Sequence, residues 1–108
     1  MLRAYGGRCA ITGDDISGAL DACHIHAHAA GGSMETTNGV LLRSDLHTLF
    51  DLGLIAINTE TWTVLVHASI RDTVSGRALA GARFRRPTAA ADCPSKDALD
   101  QHRSRCGL

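Results

Sequence analysis

The segment that decides the fold is DACHIHAHAAGG at residues 21–32, continued by TNGVLLRSDLHTLFD at residues 37–51. Extended back to residue 19, its opening (ALDACHI) reads as a β-strand that carries His24 near its end. Residues 26–38, HAHAAGGSMETTN, show no apolar period and are rich in Gly, Ser and Thr, which suits a long ordered loop of the kind that carries function. Residues 40–43 read as a brief strand. Ser44 or Asp45 is placed to N-cap a helix whose Leu46, Leu49 and Phe50 share one face, and Gly53 supplies its stop.

Working outward, residues 8–12 (RCAIT) form a β-prone run closed by Gly13-Asp14-Asp15 and are expected to pair with residues 19–25 as a hairpin. Residues 54–58 and 61–67 (TWTVLVH) read as a second hairpin turning at Asn58-Thr59-Glu60, with Trp62 in the core. Residues 68–81 read ambiguously. Residues 82–86 are expected to be a last, basic strand stopped by Pro87, and Pro94-Ser95 opens a C-terminal helix running to about residue 104. The order of elements is that of an α+β fold.

The 108 residues hold one modest core, and 44% apolar with 20% charged residues is a globular balance. The apolar runs GLIAI and TVLV are far shorter than the roughly 20 residues of a membrane span. With no cleavable leader ahead of them, a soluble cytoplasmic protein is expected. The formal charge is zero, yet residues 1–70 carry −4 and residues 71–108 carry +4, so the C-terminal part is the candidate anion-binding face. Cys9, Cys23, Cys93 and Cys106 never form C-x-x-C, which argues against a structural zinc knuckle and for free thiols.

Four of the six histidines, His24, His26, His28 and His47, fall within 24 residues. His24, Asn38, His47 and Asp51 are separated by 14, 9 and 4 positions. On a helix, i and i+4 point the same way, so His47 and Asp51 can present an imidazole and a carboxylate to one divalent ion. A strand ending at His24 supplies the facing side, where an imidazole off the metal is available for a proton.

These residues resemble the HNH nucleases, and within them the restriction-type branch of McrA-like endonucleases. The likeness runs from AYGGRCAITG through CHIHAHAAGG and TNGVLLRSDLHTLFDLGLIAI to DALDQHR. It implies a ββα-metal core at about residues 8–53, with an additional β-hairpin and a C-terminal helix, in one nuclease domain over residues 1–108. It further implies that His24 is the general base, that Asn38 orients it, and that His47 and Asp51 hold one divalent metal ion (Mg²⁺, Mn²⁺, Ni²⁺ or Zn²⁺). Where many relatives place Asp or His directly before the base, this chain has Cys23, with Asp21 two residues earlier. Both lie on the strand face opposite His24, so either is a candidate third ligand, and a thiolate favours metals softer than Mg²⁺. Thr12 stands where a zinc-knuckle relative has its second cysteine, and Ala27 where Pro is common.

The function implied is hydrolysis of DNA phosphodiesters by a single-metal mechanism, with Arg43, His28, Arg83, Arg85 and Arg86 as candidate phosphate contacts. DNA is the expected partner and no membrane is expected. A homodimer or an attached recognition domain stays open, as does the alternative of a catalytically silent, metal-stabilised DNA-binding module.

Overall fold

Two strands far apart in sequence form the first hairpin: β1 (Leu20–His24) and β2 (Gly39–Arg43) pair antiparallel, setting Leu20 against Arg43, Ala22 against Leu41 and His24 against Gly39. The structure, a computed structural model, describes residues 1–26 and 36–108. β2 is buried from Gly39 through Leu42, and its run of apolar residues without alternation is the signature of a strand covered on both faces. α1 (Ser44–Asp51) follows directly, buries Leu46 and Phe50, and ends before Gly53, whose φ of +75° makes the left-handed exit that glycine permits. Neither expected cap operates. The Ser44 hydroxyl donates to the Ala19 carbonyl, and Asp45 accepts from the adjacent Leu46 N–H while binding Arg43.

Residues 8–12 are not the partner of β1. They curl into turns: Cys9 N–H donates to Asp14 O at 2.9 Å, Gly13 N–H donates to Cys9 O at 3.0 Å, and Thr12 N–H points at Cys9 Sγ at 3.4 Å. These local bonds consume the groups a strand would need. What remains covers the edge of β2 away from β1, through Ala10 N–H to Leu41 O and Arg43 N–H to Cys9 Sγ. An edge shielded in this way offers no template to another chain.

The second hairpin forms as the sequence suggests, with β3 (Ile55–Asn58) antiparallel to β4 (Thr63–Val66). Asn58 Oδ1 accepts from the Glu60 and Thr61 N–H groups and shapes the turn. Trp62 packs against the core but is not enclosed by it. It closes that turn at φ +54°, half-buried, with its ring 5.7 Å from Phe84 and the Arg86 guanidinium 4.8 Å above it. Residues 82–86 do not make a strand either. Val64 and Phe84 exchange backbone bonds with Ala82 and Trp62 around one Thr63–Arg83 bridge, but Arg85 N–H then turns to Ala10 O. Changing partner after one bridge ends the ladder.

The ambiguous stretch holds a 3₁₀ turn (Ala68–Ile70) and a short helix, α2 (Val74–Leu79), capped by Thr73 Oγ1 accepting from Gly76 N–H. α3 (Lys96–Cys106) is capped by Ser95 and closed by Gly107 at φ +72°. It packs against β3 and buries Ala98, Leu99 and His102. One core cluster joins all of these, from Tyr5 and Cys9 through Phe50 and Phe84 to Leu99. All four cysteines are free. Phe50 joins α1 to α3: its ring stacks on that of His102 with centroids 3.6 Å apart, and its carbonyl accepts from His102 Nε2–H at 2.8 Å. Phe50→Ala is therefore expected to lower stability by about 3–5 kcal/mol, read as a lower urea midpoint.

Candidate active site

The last residue of β1 and one face of α1 meet in a cleft of about 560 Å³. His24, Ile25, His47 and Asp51 line one wall, and His102, Arg105 and Cys106 of α3 line the other. The chain leaving His24 is fixed rather than loose. Ile25 N–H donates to the Asn38 carbonyl at 2.9 Å, while the buried Asn38 side chain donates to His26 O at 3.2 Å and accepts from His26 N–H at 3.0 Å. Asn38 thus grips the backbone two residues beyond His24.

Helical spacing does bring His47 and Asp51 together: His47 Nε2 lies 3.1 Å from Asp51 Oδ2. On its other side His47 Nδ1 lies 2.9 Å from Asp21 Oδ2. Cys23 Sγ stands 4.0 Å from Asp51 Oδ1, and one donor atom from each of Cys23, His47 and Asp51 lies within 4.8 Å of the others. Both strand residues therefore reach the site, in different places. Cys23 joins the donor cluster, and Asp21 takes the far nitrogen of the ring.

The arrangement of charge is informative. Nδ1–H donates to Asp21, a bond that holds the Asp21 carboxyl below its usual range. Nε2 then faces a carboxylate oxygen, and that contact is favourable only with positive charge in it, either a second ring proton or a cation. Burial, and after it the Asp51 and Asp21 charges, push the Cys23 thiol up, so without a cation it stays protonated. A sulfur, an imidazole nitrogen and a carboxylate oxygen around one point, with the imidazole oriented from behind by a second carboxylate, is the donor chemistry of a transition-metal or zinc site.

The expected phosphate contacts separate. Arg43 is held by Asp14 at 2.7 Å and by Asp45 at 2.7 and 2.9 Å, and Arg85 Nη2 donates to the carbonyls of Tyr5, Arg8 and Cys9. Both are committed within the chain. Arg83 and Arg86 are exposed and flank Trp62 along a separate groove of about 710 Å³. His28 lies outside the described residues. The α3 wall escaped sequence reading, although His102, Arg105 and Cys106 at i, i+3 and i+4 mark one helix face.

Residues 9–58 match the family described as HNH endonuclease, and the ββα segment carrying Cys23, His24, Asn38, His47 and Asp51 belongs to it. No curated protein matches the chain. Among solved structures it is similar to a modification dependent TagI restriction endonuclease, with a TM-score of 0.69 and 19% identity over 96% of this chain and 35% of that one. At this identity the likeness is one of fold, and it extends from the ββα-metal core to the added hairpin and the C-terminal helix. The chain spans about a third of that protein's length.

His102 gives a pH test of the α3 wall. Burial holds its pKa below the ordinary value, with the Arg105 charge acting in the same direction and the Phe50 carbonyl against both. The unfolded chain then binds a proton more readily than the folded one, so this contribution is complete above the unfolded pKa of about 6.5 and is lost as pH falls toward the lower folded value. The urea midpoint is expected to drop between about pH 7.5 and pH 5.5 more steeply in the wild type than in His102→Gln. Parallel pH curves for the two proteins would contradict it.

Proposed function

We propose that this chain is a metal-dependent DNA endonuclease that hydrolyses phosphodiester bonds, with His24 as general base. The observation that carries the reading is that His24 opens onto the same cleft as His47 and Asp51, which form a donor cluster with the buried Cys23 behind them. The three donors would hold one divalent ion, with Asp21 orienting His47 as an outer-sphere partner. The sulfur narrows the choice among Mg²⁺, Mn²⁺, Ni²⁺ and Zn²⁺ toward Ni²⁺ and Zn²⁺. Bound there, such an ion supplies Lewis-acid stabilisation of charge on the phosphate and on the departing 3′ oxygen.

The chain's own residues do the rest. His24, in its neutral form, removes a proton from a water that attacks phosphorus, leaving a 5′-phosphate on the product. Asn38 keeps the imidazole on station by gripping the backbone at His26. Its role is positioning, since a base must be within hydrogen-bond reach of the proton it takes. The exposed Arg83 and Arg86 contact phosphates away from the reacting bond.

We further infer that residues 1–108 act as one nuclease unit in the cytoplasm and serve restriction, and that a recognition domain or second copy provides target choice. The fold shared with about a third of a modification dependent restriction endonuclease supports this reading.

Plasmid nicking with and without chelator tests the proposal. Cutting should require metal. His24→Ala should lose about 10²- to 10⁴-fold in rate, the yield of general-base catalysis, while calorimetric metal affinity stays the same. His47→Ala should lose tight metal binding, and Asp51→Ala and Cys23→Ser should weaken it. More than half the wild-type nicking rate in His24→Ala would overturn the base assignment. Unchanged metal affinity across the three ligand variants would overturn the site.

A further inference from the structure

The wall of the cleft formed by α3 lies outside residues 9–58, the part matched by the family. Two of its three residues are turned into the protein. His102 is buried against Phe50, and Cys106 Sγ lies 3.7 and 3.8 Å from the His102 ring nitrogens. Arg105 is exposed, and its Nη2 reaches the Ile25 carbonyl at 3.5 Å, beside the residue that follows His24.

We propose that Arg105 is a substrate-binding residue of this cleft, its guanidinium engaging a phosphate oxygen of the DNA strand from the side opposite His47 and Asp51. The proposal rests on the nuclease reading and adds to it a residue from a different element. Charge is the first argument. The donor wall carries the Asp51 carboxylate with Asp21 behind it, and these two charges offset that of a divalent ion held there, so a cation on the facing wall adds to the attraction for a phosphodiester. Arg105 is the only guanidinium or ammonium group among the described residues lining the cleft.

Availability is the second argument. Among the described residues, ion pairs occupy Arg8 and Arg43, and Arg85 is occupied by three carbonyls, whereas no carboxylate pairs with Arg105. One long bond to a carbonyl leaves most of its five N–H donors for a ligand. The planar fork matches two phosphate oxygens, which a lysine at the same place does not reproduce. A cation near the end of α3 also complements the helix dipole, so the test must separate binding from folding.

Arg105→Ala and Arg105→Lys are compared with wild type for plasmid cleavage at saturating metal, for calorimetric metal affinity and for the urea midpoint. Duplex binding is measured across a salt series in a His24→Ala background, which keeps the DNA intact. Arg105→Ala should cut about 10²-fold more slowly, as when a preorganised donor to a reacting oxyanion is removed. Arg105→Lys should recover only part of that rate, and metal affinity should be unchanged. The slope of log K against log salt should fall by about 0.9, one phosphate contact. Cleavage within twofold of wild type with an unchanged slope would overturn the proposal, as would a rate loss matched by an equal loss of folded protein. Should the wild type fail to cut while the slope still falls, the nuclease reading fails and the phosphate contact stands.

Discussion

The antiparallel pairing of β1 with β2 sets the geometry on which the rest of the site depends. Its register places His24 opposite Gly39, so that the residue before Gly39, the buried Asn38, reaches both backbone groups of His26. The same pairing carries Cys23 and Asp21 to the side of the strand that α1 crosses. A slip of one residue would exchange those two with Ala22 and His24, turning His24 toward α1 and removing Cys23 from Asp51. Register is therefore a chemical constraint as well as a packing one. The buried Val40, Leu41 and Leu42 hold it by anchoring β2 in the core.

Elements whose cause is local were legible in the sequence. The 3.6 period of Leu46 and Phe50, the glycine after α1 and the serine before α3 each act within one turn of helix, and each is found where the pattern puts it. The His47–Asp51 pairing follows from the same period. What could not be read is what depends on which distant segment offers a partner. Residues 8–12 have the composition of a strand, but Cys9 sulfur and backbone close a turn first, and β1 instead pairs across fourteen intervening residues. Trp62 has the hydrophobicity of a core residue and sits in a left-handed turn position that sequence rules assign to Gly or Asn. The arginines show the same limit. Ten arginines look alike in the sequence, and only the folded chain separates Arg43 and Arg85, bound internally, from Arg83, Arg86 and Arg105.

Asp21 and Cys23 illustrate how one strand face divides its work. Both alternate onto the side facing α1, and spacing alone makes them equivalent candidates. Depth distinguishes them. Cys23 is fully buried and sits against Asp51, where sulfur tolerates removal from water better than a carboxylate does, while Asp21 stays 40% exposed and keeps its charge. Reversing the two would put a carboxylate at the fully buried position 23, desolvated and next to the like charge of Asp51. In the chain without a cation, the order Asp-Ala-Cys-His is thus the one with the lower desolvation cost.

The uneven charge along the chain takes on a spatial meaning in the cleft. The acidic N-terminal part supplies the donor cluster, and the basic C-terminal part returns as α3 to face it. His102, stacked and hydrogen-bonded to Phe50, ties the far end of α3 to the helix that carries His47 and Asp51. Arg105 lies less than one turn beyond His102 on the same face, so its distance from the donor cluster is set by the Phe50 contact rather than by a flexible tether. The core thus fixes the backbone at Arg105, while the exposed side chain, held by one bond to the Ile25 carbonyl, keeps rotamer freedom that binding an anion would have to order.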